Sequence, residues 1–111
     1  MIYDRLLEVF SPKQPESPLS MKLELVGAHY CAPLTVYHRT YFDSLQMGET
    51  VDRMVQLPRL REIDATMYAV LEGGPVYKIM EAQPTQDEDG LDVYVLSLHR
   101  KEGKYELFRP D

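Results

Sequence analysis

With 111 residues, 44% of them hydrophobic and 27% charged, the chain suits one domain with its own core and is too apolar for an unfolded linker. Eighteen acidic against twelve basic residues give a net charge of −6, which opposes tight binding to a phosphate backbone. A lone cysteine excludes an internal disulfide and fits a reducing cytosol, and no stretch reads as a secretory leader or reaches the roughly 18 apolar residues of a membrane span.

Residues 2–10 carry two readings, because Tyr3, Leu6, Leu7 and Phe10 have helical spacing while Leu7 and Val9 also suit a strand. In Ser11–Pro18, prolines at 12, 15 and 18 then deny both helix and ladder hydrogen bonds, which predicts a surface loop. Met21-Lys22-Leu23-Glu24-Leu25 alternates strictly and predicts a half-buried strand. A second strand is expected over Leu34–His38. A third is expected over Val51–Leu57, with Val51, Val55 and Leu57 on one face, Asp52 and Gln56 on the other, and Pro58 as terminator. Between them, Tyr41 and Leu45 have helical spacing and Gly48 is a terminator, so the long excursion Arg39–Glu49 is expected to hold one helix too short to stand alone.

From Ala65 onward the chain reads as strands separated by turns. Ala65–Leu71 meets Glu72-Gly73-Gly74-Pro75, Val76–Met80 meets the polar run Gln83–Gly90, and Val93–Leu98 and Tyr105–Phe108 flank Lys101-Glu102-Gly103. The pattern predicts an all-β core of hairpins.

Chemical motifs are sparse. His29, Cys31, His38 and His99 lack the paired spacing of a zinc site, and Cys31 has neither a basic flank nor a helix start to activate it. Asp87-Glu88-Asp89-Gly90 resembles part of a calcium loop, but the position that needs a bidentate Glu is Leu98 and the flanks are strands, so a hairpin tip is the simpler reading. Gly73-Gly74 is turn chemistry. No catalytic residue, metal or cofactor is expected. Tyr77, Tyr94 and Tyr105 suit cross-strand packing, whereas Tyr41 and Phe42, beside Asp43 and Ser44, fit an interface or local packing equally well.

The order of parts carries a resemblance. Val36-Tyr37-His38 precedes the excursion ending at Gly48, then Val51-Asp52-Arg53-Met54-Val55 leads to Leu57-Pro58. Ile63-Asp64-Ala65-Thr66-Met67-Tyr68-Ala69, the segment Val76-Tyr77-Lys78-Ile79 and the strand Val95-Leu96-Ser97-Leu98 follow. From Met1 to about Phe108 this resembles the small head-closure proteins of tailed bacteriophages, also called head–tail connector, joining or stopper proteins. It is closest to those of phages and prophages of Gram-positive bacteria. The resemblance implies a small antiparallel β-barrel of about six strands that assembles as a ring beneath the portal and adaptor proteins of the virion. There it closes the DNA exit channel and docks the tail through a tail-completion or tail-terminator protein. It also implies that Arg39–Thr50 points into the channel, with Arg39, Tyr41, Phe42, Asp43, Gln46 and Glu49 facing the lumen or a neighbouring subunit. Pro15 in the proline loop and Gln86, Asp87 and Glu88 in the polar turn become docking loops. DNA passes without specific binding, which agrees with the acidic balance, and isolated subunits can remain monomeric. Two other readings are open from the residues: a monomeric β-barrel module that binds proteins by strand addition, and a single-strand nucleic-acid binder with tyrosine platforms, which the −6 charge opposes.

Overall fold

Period-two alternation of apolar side chains organises this chain, and each strand is cut where proline, glycine or a run of polar residues interrupts that period. The computed structural model describes residues 2–13, 20–35 and 50–110. They form seven strands: β1 (Arg5–Pro12), β2 (Met21–Leu34), β3 (Arg53–Pro58), β4 (Tyr68–Leu71), β5 (Val76–Gln86), β6 (Asp92–Arg100) and β7 (Tyr105–Phe108). No helix occurs among the described residues.

Strand β1 has partners on both edges. It pairs antiparallel with β2, from Arg5↔Cys31 to Pro12↔Leu23, and with β4, from Leu7↔Leu71 to Phe10↔Tyr68. Antiparallel pairs β4–β5, β5–β6, β6–β3 and β3–β2 complete the circuit, so six strands form a closed ring of hydrogen-bonded neighbours. All six send alternate residues to one interior cluster. Leu7 and Val9 of β1, Cys31 of β2, Val55 and Leu57 of β3, Ala69 of β4, Ile79 of β5 and Leu96 and Leu98 of β6 are fully buried there. Each buried aliphatic of this kind stabilises the fold by roughly 1.5–3 kcal/mol.

A second cluster lies on the opposite face of β1 and β4, and a bulge makes it possible. Val9 pairs with Gly27 but Phe10 pairs with Leu25, leaving Val26 as the extra residue. The odd-numbered residues of β2 therefore change sides at that point. Gly27, His29 and Cys31 share the face of Leu7 and Val9, while Leu23 and Leu25 join Phe10, Tyr68 and Val70 outside the ring. Strand β7 lies parallel to β2 over Met21–Glu24 and adds Tyr105 and Leu107 to this outer cluster, with the Tyr105 and Tyr68 rings 6.0 Å apart.

The expected all-β class is present, with differences in detail. Of the two readings left open for the first residues the strand holds, because Leu7 and Val9 face inward while Phe10 faces the outer cluster, which needs a period of two. Ser11 and Pro12, expected in the proline loop, are instead the last rungs of β1, opposite Glu24 and Leu23. Strand β2 is one 14-residue strand reaching Leu34, where the sequence suggested separate strands at 21–25 and 34–38. Ala65 and Thr66 belong to a turn before β4 rather than to the strand. The polar run 83–90 is half strand: β5 continues to Gln86, and Pro84 is accommodated because β4 pairs only with Val76–Lys78, leaving that edge of β5 without a ladder at Pro84. Strand β7 does not fold back on β6. Both edges of β6 are already taken by β5 and β3, so β7 crosses to the free edge of β2 and pairs in parallel. The predicted helix within Arg39–Glu49 and the strand residues Val36–His38 lie outside the described residues.

Beyond β7 the chain is tied back to β1. Arg109 donates from Nε and Nη2 to the two carboxylate oxygens of Glu8 at 2.7 and 2.9 Å, and its guanidinium lies 5.4 Å from the Phe10 ring centre. The Glu8 side chain is only 16% exposed. Hydrogen bonding to Arg109 holds its carboxyl below the usual 4.5. A carboxylate with a depressed folded-state value contributes stability above its unfolded value and loses it as the pH falls through the folded one. Arg109→Ala is expected to destabilise the fold by roughly 1–2 kcal/mol at pH 7, since it strands a largely buried carboxylate. The penalty should shrink below pH 4.5, as Glu8 protonates; denaturation midpoints of both proteins from pH 7 to pH 3 check this.

Candidate interaction surfaces

The residues singled out in the sequence fall in two groups. Arg39, Tyr41, Phe42, Asp43, Gln46, Glu49 and Pro15 lie outside the described residues. Gln86, Asp87 and Glu88 lie at the tip of the β5–β6 hairpin, and there the structure is specific. The Asp87 carboxylate accepts the N–H groups of Asp89 and Leu91 at 2.9 Å, and Asp87 N–H donates to the Leu91 carbonyl at 3.0 Å. Gly90 N–H donates to the Asp87 carbonyl at 3.0 Å and sits at φ +81°, a conformation that favours glycine. Gln86 reaches Asp92 at 3.2 Å. Asp87 therefore serves the turn itself, while Glu88, Asp89 and the half-exposed Leu91 project from it. A concavity of about 480 Å³ lies between this tip and Gln56.

The connector after β3, Arg59–Asp64, reads in the sequence only as a charged run, with Arg59 and Arg61 its nearest approach to a basic patch. Strand β3 pairs with β2 only at Ala32–Leu34, and β7 pairs with β2 only at Met21–Glu24. Along that edge of β2, residues 25–31 have no strand neighbour among the described residues. Arg61 from the connector closes the middle of the gap, its Nη1 donating to the Val26 carbonyl at the bulge. It fits because residue 27 is glycine: a Cβ there would lie 2.9 Å from the guanidinium carbon. Ile63, two residues on, is buried in the interior cluster. The sequence did hold a signal, since a glycine inside an alternating strand marks a bulge or a close approach.

His29 faces the interior beside this contact and is 8% exposed. Its Nε2 has no hydrogen-bond partner among the described residues. Burial, and then the charge of Arg61, push its pKa below 6.5. Cys31 shares that face, and burial raises its thiol to about 11, so it stays protonated at neutral pH and is no activated nucleophile. His99 is elsewhere, with Nδ1 2.8 Å from the Thr50 carbonyl and 3.3 Å from Asp52, and His38 is outside the described residues. Among the described residues no three His, Cys, Asp or Glu side chains converge as metal ligands. No described helix is long and apolar enough to cross a membrane.

Two further surfaces carry exposed groups. Arg59 pairs with Glu62 at 2.9 Å and stacks on Tyr94, whose hydroxyl donates to Glu62 at 3.2 Å, leaving Leu60 78% exposed beside them. At the other end of β6, a groove of about 370 Å³ runs between the β4–β5 turn and the β6–β7 loop. Comparison with protein-family models and with curated proteins finds no match for this chain.

Displacing Arg61 tests the connector contact. Gly27→Ala should evict the guanidinium from Val26 at a cost of about 1–2 kcal/mol, because the intruded atoms are the end of a flexible side chain and the loss is one charged hydrogen bond. Both Gly27→Ala and Arg61→Gln should raise the His29 pKa toward 6.5, read by NMR titration of its ring protons. An unchanged His29 titration in both would mean that Arg61 does not sit against it.

Proposed function

We propose that this chain is a non-enzymatic structural subunit of a tailed-phage particle, a small β-barrel that forms a ring at the head–tail joint, closes the DNA exit channel and docks the tail. The observation that carries the reading is topological. Leu34, the last residue of β2, and Met54 of β3 are cross-strand partners, so the connection between those two strands starts and ends beside one rung of an already closed ring. A connection of this kind can be devoted to a channel or a neighbour without breaking any ladder among the described residues. The resemblance in the order of parts assigns that role to Arg39–Thr50.

Charge supports the same reading. A conduit that DNA must later leave works best when it holds phosphate weakly, and the net charge is −6. The polar hairpin tip at Asp87–Gly90 is then a projection available to a neighbour in the assembly, built to keep its shape without a partner. The portal and adaptor proteins above and a tail-completion or terminator protein below are the partners this role requires.

The test uses capsids filled in its presence or absence. The intact chain should co-sediment with the cognate portal–adaptor complex and restore DNA retention to capsids that lack it. A chain deleted from Arg39 to Glu49 should still fold, with its stability changed by no more than about 1 kcal/mol because shortening a loop alters closure entropy only that much, yet lose DNA retention. Retention of DNA by the deleted chain, or no co-sedimentation of the intact one, would overturn the reading.

A further inference from the structure

We propose that the groove beside the β6–β7 loop receives the β5–β6 hairpin tip of a second copy of this chain, joining copies head to tail. The inference rests on the ring reading for its biological setting and names the subunit contact of that ring.

The groove combines two kinds of surface. Val76, Tyr105 and Leu107 are half-buried along it, and the exposed Pro75, Arg100 and Lys101 stand beside them. Its walls are tied together, since Lys101 N–H donates to the Val76 carbonyl at 3.3 Å and Tyr105 Oη donates to the Lys101 carbonyl at 2.9 Å. Glu102 lies in the same loop and is balanced by Lys104, so the loop is cationic. The Arg100 and Lys101 side chains make no ion pair among the described residues, whereas Arg5, Arg59 and Arg109 each meet a carboxylate at 2.7–2.9 Å.

The hairpin tip is the complement. Asp87 is spent on the turn, and the carboxylates of Glu88 and Asp89 have no cationic partner among the described residues. Leu91 follows them and is 48% exposed, an apolar group to set against Val76 and Leu107. The two surfaces also lie at opposite ends of one ribbon. Strand β5 begins at Val76 by the groove and ends at Gln86 by the tip, and β6 returns from Asp92 to Arg100. At about 3.3 Å per residue the ends are on the order of 30 Å apart. One molecule therefore cannot satisfy its own tip and groove, but a neighbour can. Two different complementary surfaces on one subunit make a heterologous contact, which closes into a ring when the rotation between copies allows. One such tip buries little area, so the single contact is weak and salt-sensitive and gains strength by closure.

Sedimentation velocity at low and high ionic strength tests this, up to about 1 mM protein. The unmodified chain should show a mass that rises with concentration at low salt and falls when salt is added. One variant carries Glu88→Lys and Asp89→Lys; a second carries Arg100→Glu and Lys101→Glu. All four positions are exposed, so circular dichroism should be unchanged. Each variant alone should stay monomeric, because its tip and groove now share one sign. An equimolar mixture should associate again, since each tip meets an oppositely charged groove. A monomeric unmodified chain under all conditions, variants that associate as it does, or a mixture that stays monomeric would each overturn the proposal. If the charge pattern behaves as expected but portal–adaptor binding fails, the head–tail setting falls and the contact stands. If portal–adaptor binding holds and the mixture stays monomeric, the contact alone falls.

Discussion

A six-stranded sheet leaves two strand edges open to any other chain unless its end strands meet, and in this molecule they meet along β1. Eight residues of β1 pair with β2 and four of the same residues pair with β4, so one short strand satisfies backbone groups on both sides. Closure also removes water from Leu7, Val9 and Cys31 at once. The Glu8–Arg109 pair and the stacking of Arg109 on Phe10 then clamp the chain end across the outer face of the same strand. Everything proposed for the loops depends on this seam. Loops can carry function without endangering the fold because the ring does not need them to stay closed.

The bulge at Val26 is the second constraint, and it follows from the first. A regular β2 would place Leu23 and Leu25 on the same face as His29 and Cys31, filling the interior and leaving Phe10, Tyr68 and Val70 bare. One extra residue sends the first half of β2 outward, where β7 joins it. The cost is a carbonyl at Val26 with no ladder partner, and Arg61 supplies the donor from the connector. Strand, bulge, glycine and arginine form one solution, in which Gly27 matters for what it leaves out.

How much of this was legible follows from which signals are local. Alternation at Met21–Leu25, the Gly73-Gly74 turn and the Asp87–Gly90 tip are short-range features, and each appears where the sequence placed it. Pro58 as a strand end was legible for the same reason. The partner of β7 was not, because Tyr105-Glu106-Leu107-Phe108 reads as a strand whichever edge it joins; only the occupation of both β6 edges decides. The split of β2 between two faces was hidden by a parity change, since strict odd-numbered spacing continues through Val26 while the face does not. Among site residues, the tip was visible and the groove was not. Arg100 and Lys101 look like ordinary turn charges until Val76 and Leu107 are brought beside them across the fold.

A ring closed at β1 should open as a unit, and Cys31 reports on that seam because it faces the interior opposite Arg5 at the first β1–β2 rung. Its thiol is held at about 11 while buried, and it should fall to near 8.5 when exposed, so reaction with an aromatic disulfide at pH 8 requires opening. The decisive measurement is the labelling rate of Cys31 across a denaturant series below the unfolding midpoint. If the closed ring is one cooperative body, the logarithm of that rate rises with the slope of global unfolding. A rate that barely responds to denaturant would show β1 parting from β2 by itself, and the self-sufficient ring would be the wrong description.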